Sequence, residues 1–131
     1  MDDKNAQEFS FSFDSKLDGK NYAGKFKVKI RLSHREQLAI DQRRRQILGN
    51  DPNNAAPLMN QYAFAIASLQ VRCLEAPSWF RDNGYGLDLE DTELLMAVFN
   101  EVYEREEAYR KELSDAADAA RASLRAETEK K

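Results

Sequence analysis

Apolar and polar residues alternate strictly in Phe9-Ser10-Phe11-Ser12-Phe13-Asp14 and again in Phe26-Lys27-Val28-Lys29-Ile30-Arg31-Leu32. A period of two is that of a strand turning one face to a core and the other to water. Between the two runs lies Asp18-Gly19-Lys20-Asn21, whose Asp-Gly step favours the positive φ angles of a hairpin turn. The pattern predicts an antiparallel hairpin over residues 8–32. Because a two-stranded hairpin is marginal in water, its Phe and Val/Ile face must be covered by helices or extended by strands of another copy.

After the hairpin the period lengthens to that of a helix. Ser33-His34-Arg35-Glu36 has the form of a capping box, in which Ser33 and Glu36 each satisfy the other's free amide. A helix over about 33–48 follows, carrying Leu38, Ile40, Arg44, Ile47 and Leu48 and ending at Gly49, a residue suited to the position after a helix. Its middle, Asp41 to Gln46, is polar all round, so packing is expected at its two ends. Asn50 to Asn54 reads as a loop. A second helix over about 55–76, opened by Asn54 or Pro57, is expected to end before Pro77, which disfavours a helical conformation in the preceding residue. Its apolar residues, from Leu58 and Met59 through Phe64, Leu69, Cys73 and Leu74, cover nearly the whole circumference, which predicts the central, most buried element.

Ser78 to Gly86 holds two glycines and the aromatics Trp79, Phe80 and Tyr85, and reads as a loop whose rings pack back on the core. A third helix over about 90–113 carries Leu95, Val98, Phe99, Val102, Tyr103, Tyr109 and Leu113 at steps of three and four. Beyond Leu113 the chain offers six alanines and one large apolar residue, Leu124. That segment, 114–131, is helical by propensity with little to bury, and is expected to project or to be partly disordered. Residues 1–7 are expected to be flexible. The resulting fold class is α+β: an N-terminal antiparallel β-hairpin packed on a three-helix, mainly α body, with an extended C-terminal helical tail, in one domain over 8–113.

Composition is compatible with such a core. Of 131 residues, 42% are apolar and 33% charged, too apolar a mixture for a wholly disordered chain. A lone Cys73 forms no internal disulfide, and the first residues lack the basic start and apolar stretch of a signal peptide. The expected location is the cytoplasm. The most apolar stretch, Leu58 to Ala76, carries Asn60, Gln61, Ser68, Gln70, Arg72 and Glu75, so no membrane span is expected.

Charge changes the picture more, because the net of -3 conceals segregation along the chain. From Lys20 to Arg45 nine basic side chains face only Glu36 and Asp41, a net of +7, and Asp82 to Lys131 carries a net of -7. The basic strand positions Lys25, Lys27, Lys29 and Arg31, with Arg43-Arg44-Arg45, form the one constellation with binding potential. Like charges on one strand face repel, a cost tolerated at a guarded edge or against an acidic ligand. The plainest reading of this face is a solubilising one; a protein partner comes second, with a homo-oligomer as one form of it. Nucleic acid ranks lower, since no aromatics stand among the lysines to stack on bases and the pI is about 5.3. Trp79, Phe80 and Tyr85 complete the candidate partner-binding residues.

Catalytic chemistry finds no foothold in these residues. The single His34 follows a helix cap, and Cys73 lies in the most apolar segment, where a thiol packs rather than reacts. The acidic run Asp82 to Glu93 fails the calcium-loop pattern, with Gly84 and Gly86 at ligand positions and Leu87 where glycine is required. Glu101, Glu104, Glu106 and Glu107 read as a solvated helix face. No enzyme, metal or cofactor is expected.

Val28-Lys29-Ile30-Arg31-Leu32-Ser33, an arginine-rich helix ending in Leu48-Gly49, an apolar helix, Glu75-Ala76-Pro77-Ser78-Trp79 and then Leu94 to Glu107 occur in this order. This succession resembles the tail assembly chaperones of long-tailed bacteriophages and covers Phe26 to Glu107. The resemblance implies a protein that binds and solubilises the tape measure protein while tail tube subunits assemble around it in the host cytoplasm. The hairpin residues Phe9 to Leu17 and the alanine-rich tail have no counterpart in that pattern. They keep open a self-associating virion component, such as a neck or tail accessory protein, with nucleic-acid binding through residues 20–45 a further alternative.

Overall fold

A computed structural model of the chain describes residues 5–49 and 51–129. It is α+β, with element order β1 (Ala6–Asp14), β2 (Asn21–Lys29), α1 (His34–Leu48), α2 (Pro57–Arg72), β3 (Cys73–Glu75), α3 (Ser78–Arg81) and α4 (Thr92–Glu129), plus short 3-10 turns at Pro52–Asn54 and Gly84–Gly86. The expected hairpin is present, with Phe9 paired to Phe26 and Phe13 to Tyr22 across the strands. Gly19 takes φ 73 in the turn. The flexible start expected over residues 1–7 lies partly outside the described residues, but Asn5 to Gln7 are tied down. The Asn5 carbonyl accepts from Ile30 N at 2.8 Å, and Ala6 and Gln7 already belong to β1.

Alternation does what the pattern required. Phe9, Phe11, Phe26, Val28 and Ile30 are buried on one face of the sheet, against Ile66 and Leu69 of α2, Phe80 of α3 and Leu94, Leu95, Val98 and Val102 of α4. Phe26, completely buried, stacks on Phe9 at 5.3 Å and meets Phe80 edge-on at 5.3 Å. Removing such a ring from water contributes about 1.5–3 kcal/mol.

The second helix departs from expectation at its end. It stops at Arg72, and Cys73–Glu75 becomes a third strand on the free edge of β2, with Lys27 paired to Glu75 and Val28 to Cys73 across a register irregularity. The sheet order is β1-β2-β3. Two constraints converge here: Pro77 biases Ala76 away from helical backbone and so ends any helix before it, and an unpaired strand edge offers backbone partners to whatever extended segment lies beside it. Cys73 is therefore a strand residue rather than a helix one. Nor is α2 buried all round, since Leu58, Met59 and Phe64 are about half exposed.

Pro77 then leads the chain over the core face of β2. Gly24, on that face opposite Phe11, has no side chain, and a Cβ there would lie 2.4 Å from Pro77 Cγ. That space admits the Pro77 ring; two residues on, the indole Nε1 of Trp79 donates to the Ala23 carbonyl at 3.0 Å and its ring meets Tyr22, Phe26 and Phe80 edge-on. The segment read as a loop thus contains one turn of helix, α3, that latches the hairpin. At the other side, Ser15 of the hairpin turn is buried and donates to Asp91 Oδ2 at 2.6 Å, while Asp91 Oδ1 accepts from Leu94 N and caps the start of α4.

The first helix has the expected capping box and ends at Gly49. Its polar middle, however, is fastened rather than bare. Arg43 Nε donates to Gln70 Oε1 and Arg44 to Asn60 Oδ1, each at 2.6 Å, joining α1 to α2, whereas Leu38 is 70% exposed. Helix α4 continues unbroken through the alanine-rich segment, and every residue from Lys111 to Glu127 is exposed. The rigid Pro77 ring makes Gly24 the position least able to accept a side chain. Gly24→Ala is expected to lower the unfolding free energy by about 1–3 kcal/mol in urea denaturation, and an unchanged midpoint would contradict this packing.

Candidate functional site

The strand cations are the first sequence-predicted binding residues to trace, and most have partners inside the fold. Lys25, Lys27 and Lys29 alternate with the buried Phe26 and Val28, and so share the outer face of β2. Lys25 lies 3.8 Å from Glu8 of β1. Lys27 is in register with Glu8 on one side and Glu75 on the other. Lys29 donates from Nζ to Glu36 Oε2, so the glutamate that completes the α1 capping box also neutralises the end of β2. Arg31 sets its guanidinium 5.6 Å from the centre of the Tyr109 ring of α4.

The α1 arginines are occupied elsewhere. Arg44 and Arg45 both pair with Asp41, at 3.0 and 3.1 Å, besides the bonds that Arg43 and Arg44 make to α2. Of the aromatic candidates, the structure brings Trp79, Phe80 and Tyr85 together, with the Tyr85 ring 6.1 Å from Phe80. They serve the core. Phe80, expected at a binding surface, is completely buried and cannot touch a partner.

The arrangement with an open surface lies elsewhere, in a groove of about 240 Å³ between α1, α2 and α4. Its rows follow helical spacing: Phe64, Ser68 and Arg72 along α2 face Phe99, Tyr103, Glu106 and Arg110 along α4, with Leu32 and Ile40 closing the α1 side. Phe64 meets Phe99 edge-on at 6.1 Å and Phe99 stacks on Tyr103 at 6.3 Å. Phe64 and Tyr103 remain 46% and 51% exposed, so the rings form a wall open to water.

At the base of this wall sits Arg72, 6% exposed. Its Nε donates to Ser68 Oγ at 3.1 Å, one terminal nitrogen donates to the carbonyls of Lys29 and Ile30 at 3.1 and 3.0 Å, and the other donates to Glu106 Oε2 at 2.5 Å. Burial lowers the Arg72 pKa and the Glu106 carboxylate acts against that shift; a guanidinium stays charged regardless. The second oxygen of Glu106 is shared with Arg110. One guanidinium therefore joins the end of β2, the last turn of α2 and the middle of α4, and holds the groove's walls at a fixed spacing.

Sequence reasoning missed both members of this pair, reading Glu106 as part of a solvated face. The signal was available: Glu106 stands four residues after Val102 on the apolar side of α4, and Arg72 is the one cation in the most apolar helix. A second hollow of about 320 Å³, lined by Ile47, Leu48, Met59, Tyr62 and Ile66 among others, opens between α1 and α2 but has no charged group to orient a ligand.

Groups with reactive potential are placed as follows. His34 is exposed at the first position of α1, and burial pushes the Cys73 thiol up to about 12, which withdraws the thiolate a nucleophile needs. Among the described residues no group of three or more His, Cys, Asp or Glu side chains could hold a metal ion, and no helix is long and apolar enough to cross a membrane.

Two outcomes check the ionic framework. Glu106→Ala leaves Arg72 buried with its charge uncompensated and is expected to cost about 3–5 kcal/mol, whereas Arg72→Met with Glu106→Leu recovers most of that loss; equal stability of the single variant and the parent in urea would contradict the assignment. The Lys29 ammonium, with the Ser33 amide, lowers the Glu36 pKa from its ordinary 4.5. A carboxyl whose folded pKa is depressed contributes stability above its unfolded value and loses it as pH falls through the folded one. Stability should therefore decline as pH drops below 4.5, and Lys29→Met should flatten that decline in thermal melts taken across the acid range.

Comparison of the chain with models of known protein families, with curated proteins and with solved structures returned no match.

Proposed function

We propose that this chain is a non-catalytic assembly chaperone that holds an amphipathic helix of a client protein in the α1–α2–α4 groove. One observation carries the reading: the aromatic wall of Phe64, Phe99 and Tyr103 is left partly open to water above the buried Arg72, which is hydrogen-bonded to the half-buried Glu106. Exposed rings over a rigid base suit the helix-in-groove mode, in which apolar side chains at helical spacing enter a preformed hydrophobic channel. The ordered resemblance from Val28 to Glu107 gives this chaperone its setting in phage tail morphogenesis, in the bacterial host cytoplasm. Its client would then be the tape measure protein, a long helical chain in need of shielding until tail tube subunits surround it.

A nucleic-acid role draws less support, because the residues that would carry it are engaged within the fold: Lys25 with Glu8, Lys29 with Glu36, and Arg44 and Arg45 with Asp41.

Isothermal titration of the full chain with helical segments of a phage tape measure protein tests the reading. Micromolar binding is expected, and Phe64→Glu with Tyr103→Glu should weaken it at least tenfold, about 1.4 kcal/mol, while leaving the melting temperature within a few degrees. Failure of every segment to bind would remove the client, and undiminished binding by the double variant would remove the groove.

A further inference from the structure

The two edges of the sheet are built differently. The β3 edge is 3 residues long and joins β2 across a register irregularity, so it offers little for a further strand to follow. The β1 edge runs for 9 residues in unbroken register with β2, from Ala6 opposite Lys29 to Asp14 opposite Asn21. It holds no proline, glycine or lysine, and the side chains it turns inward, Gln7, Phe9, Phe11 and Phe13, carry no charge. Breaks, prolines, lysines and inward charges are the devices that ordinarily keep an exposed edge from pairing.

The phase of the ladder fixes which backbone groups this edge presents. Ile30 N donates to the Asn5 carbonyl at 2.8 Å and Ser15 N to the Lys20 carbonyl at 2.9 Å, so the odd-numbered residues of β1 direct their amides and carbonyls towards β2. These groups alternate in direction along an antiparallel strand. Those of Ala6, Glu8, Ser10, Ser12 and Asp14 therefore point away from the sheet, and no group among the described residues bonds to them. From Glu8 to Asp14 each of these outward residues is exposed. Arg105, whose Nε is buried without a hydrogen-bond partner among the described residues, sets its guanidinium 4.7 Å from the centre of the Phe9 ring in the same strand.

This row is complementary to itself. About a two-fold axis at Ser10, two antiparallel β1 strands set Ser10 on Ser10 of the second copy, Glu8 on Ser12 of the second copy and Ala6 on Asp14 of the second copy, and every outward residue exchanges its ladder bonds. Displacing the register by two residues loses a bonded pair in either direction, and in one direction it sets Glu8 opposite Asp14, a like-charge pair. In the centred register no acid faces an acid. On the core side Phe9 then stands opposite Phe11 of the second copy, an aromatic cross-strand pair.

We propose that the outer edge of β1 is a self-association surface, at which two copies join through an antiparallel β1–β1 ladder centred on Ser10 to make one continuous sheet, three strands from each copy. The pairing is independent of what occupies the groove, which lies between helices. One strand edge is a small interface, at the weak end of specific association, so the dimer forms at high concentration.

Sedimentation equilibrium of the full chain up to about 1 mM tests the pairing. The mass is expected to rise with concentration from 15.1 kDa towards twice that value. Ser10→Glu places its carboxylate opposite Lys25 of its own chain but against its own copy across the two-fold axis, so it should weaken dimerisation at least tenfold without lowering the melting temperature of a dilute sample. A parent chain that stays monomeric, or a Ser10→Glu variant that dimerises like the parent, overturns the proposal. Register is read by mild oxidation in a Cys73→Ala background: Ser10→Cys should give a disulfide-linked dimer and Ser12→Cys should not, and a dimer linked through Ser12→Cys but not through Ser10→Cys would refute the ladder centred on Ser10.

Discussion

A single guanidinium organises this molecule. Arg72 stands at the last turn of α2, where the chain changes from helix to strand, and it binds at once to its own helix through Ser68, to the end of β2 through two carbonyls and to α4 through Glu106. An isolated charge could not be held at this depth, so each of these partners is needed for the others to stay in place. The pair does more than satisfy itself. It joins α2 to α4 beneath the aromatic wall, in which Phe64 meets Phe99 edge-on while Phe64 and Tyr103 stay partly in water.

Around that point the hairpin problem is solved twice over. The core face of the strands is covered by α2, α3 and α4, and the open edge of β2 is taken by β3. The turn after β3 completes the cover: Pro77 enters over Gly24, and Trp79 reaches back to the Ala23 carbonyl. The opposite face of the sheet keeps its lysines, each beside or opposite a glutamate. Lys25 and Lys29 are thereby paired with Glu8 and Glu36, and Lys27 stands between Glu8 and Glu75 in the strand register.

Much of the architecture was legible in the sequence because it rests on local rules. Strict alternation fixed both faces of the hairpin, Ser33 and Glu36 marked the start of α1, and Phe99 and Val102 at helical spacing marked α4. What was not legible depended on contacts between segments distant in the chain. Cys73 to Glu75 form a strand because β2 offers an edge far earlier in the chain, with Val28 paired to Cys73 and Lys27 to Glu75, and nothing within the three residues announces it. Arg72 and Glu106 lie 34 residues apart; the apolar setting of each is visible in the sequence, but their pairing is not. Among the candidate cations, Arg44 and Arg45 pair with Asp41 within one turn of helix, whereas Lys25 meets Glu8 only once the strands are paired.

A charged base with an open aromatic wall above it makes the α1–α2–α4 groove, rather than the lysine face of the sheet, the surface proposed to receive a protein partner. Amide hydrogen exchange followed by mass spectrometry, with and without tape measure helices, tests this most directly. The account predicts slowed exchange confined to segments 60–72 and 99–110, with β2 unchanged; protection of residues 23–29 with the groove segments unaffected would contradict it.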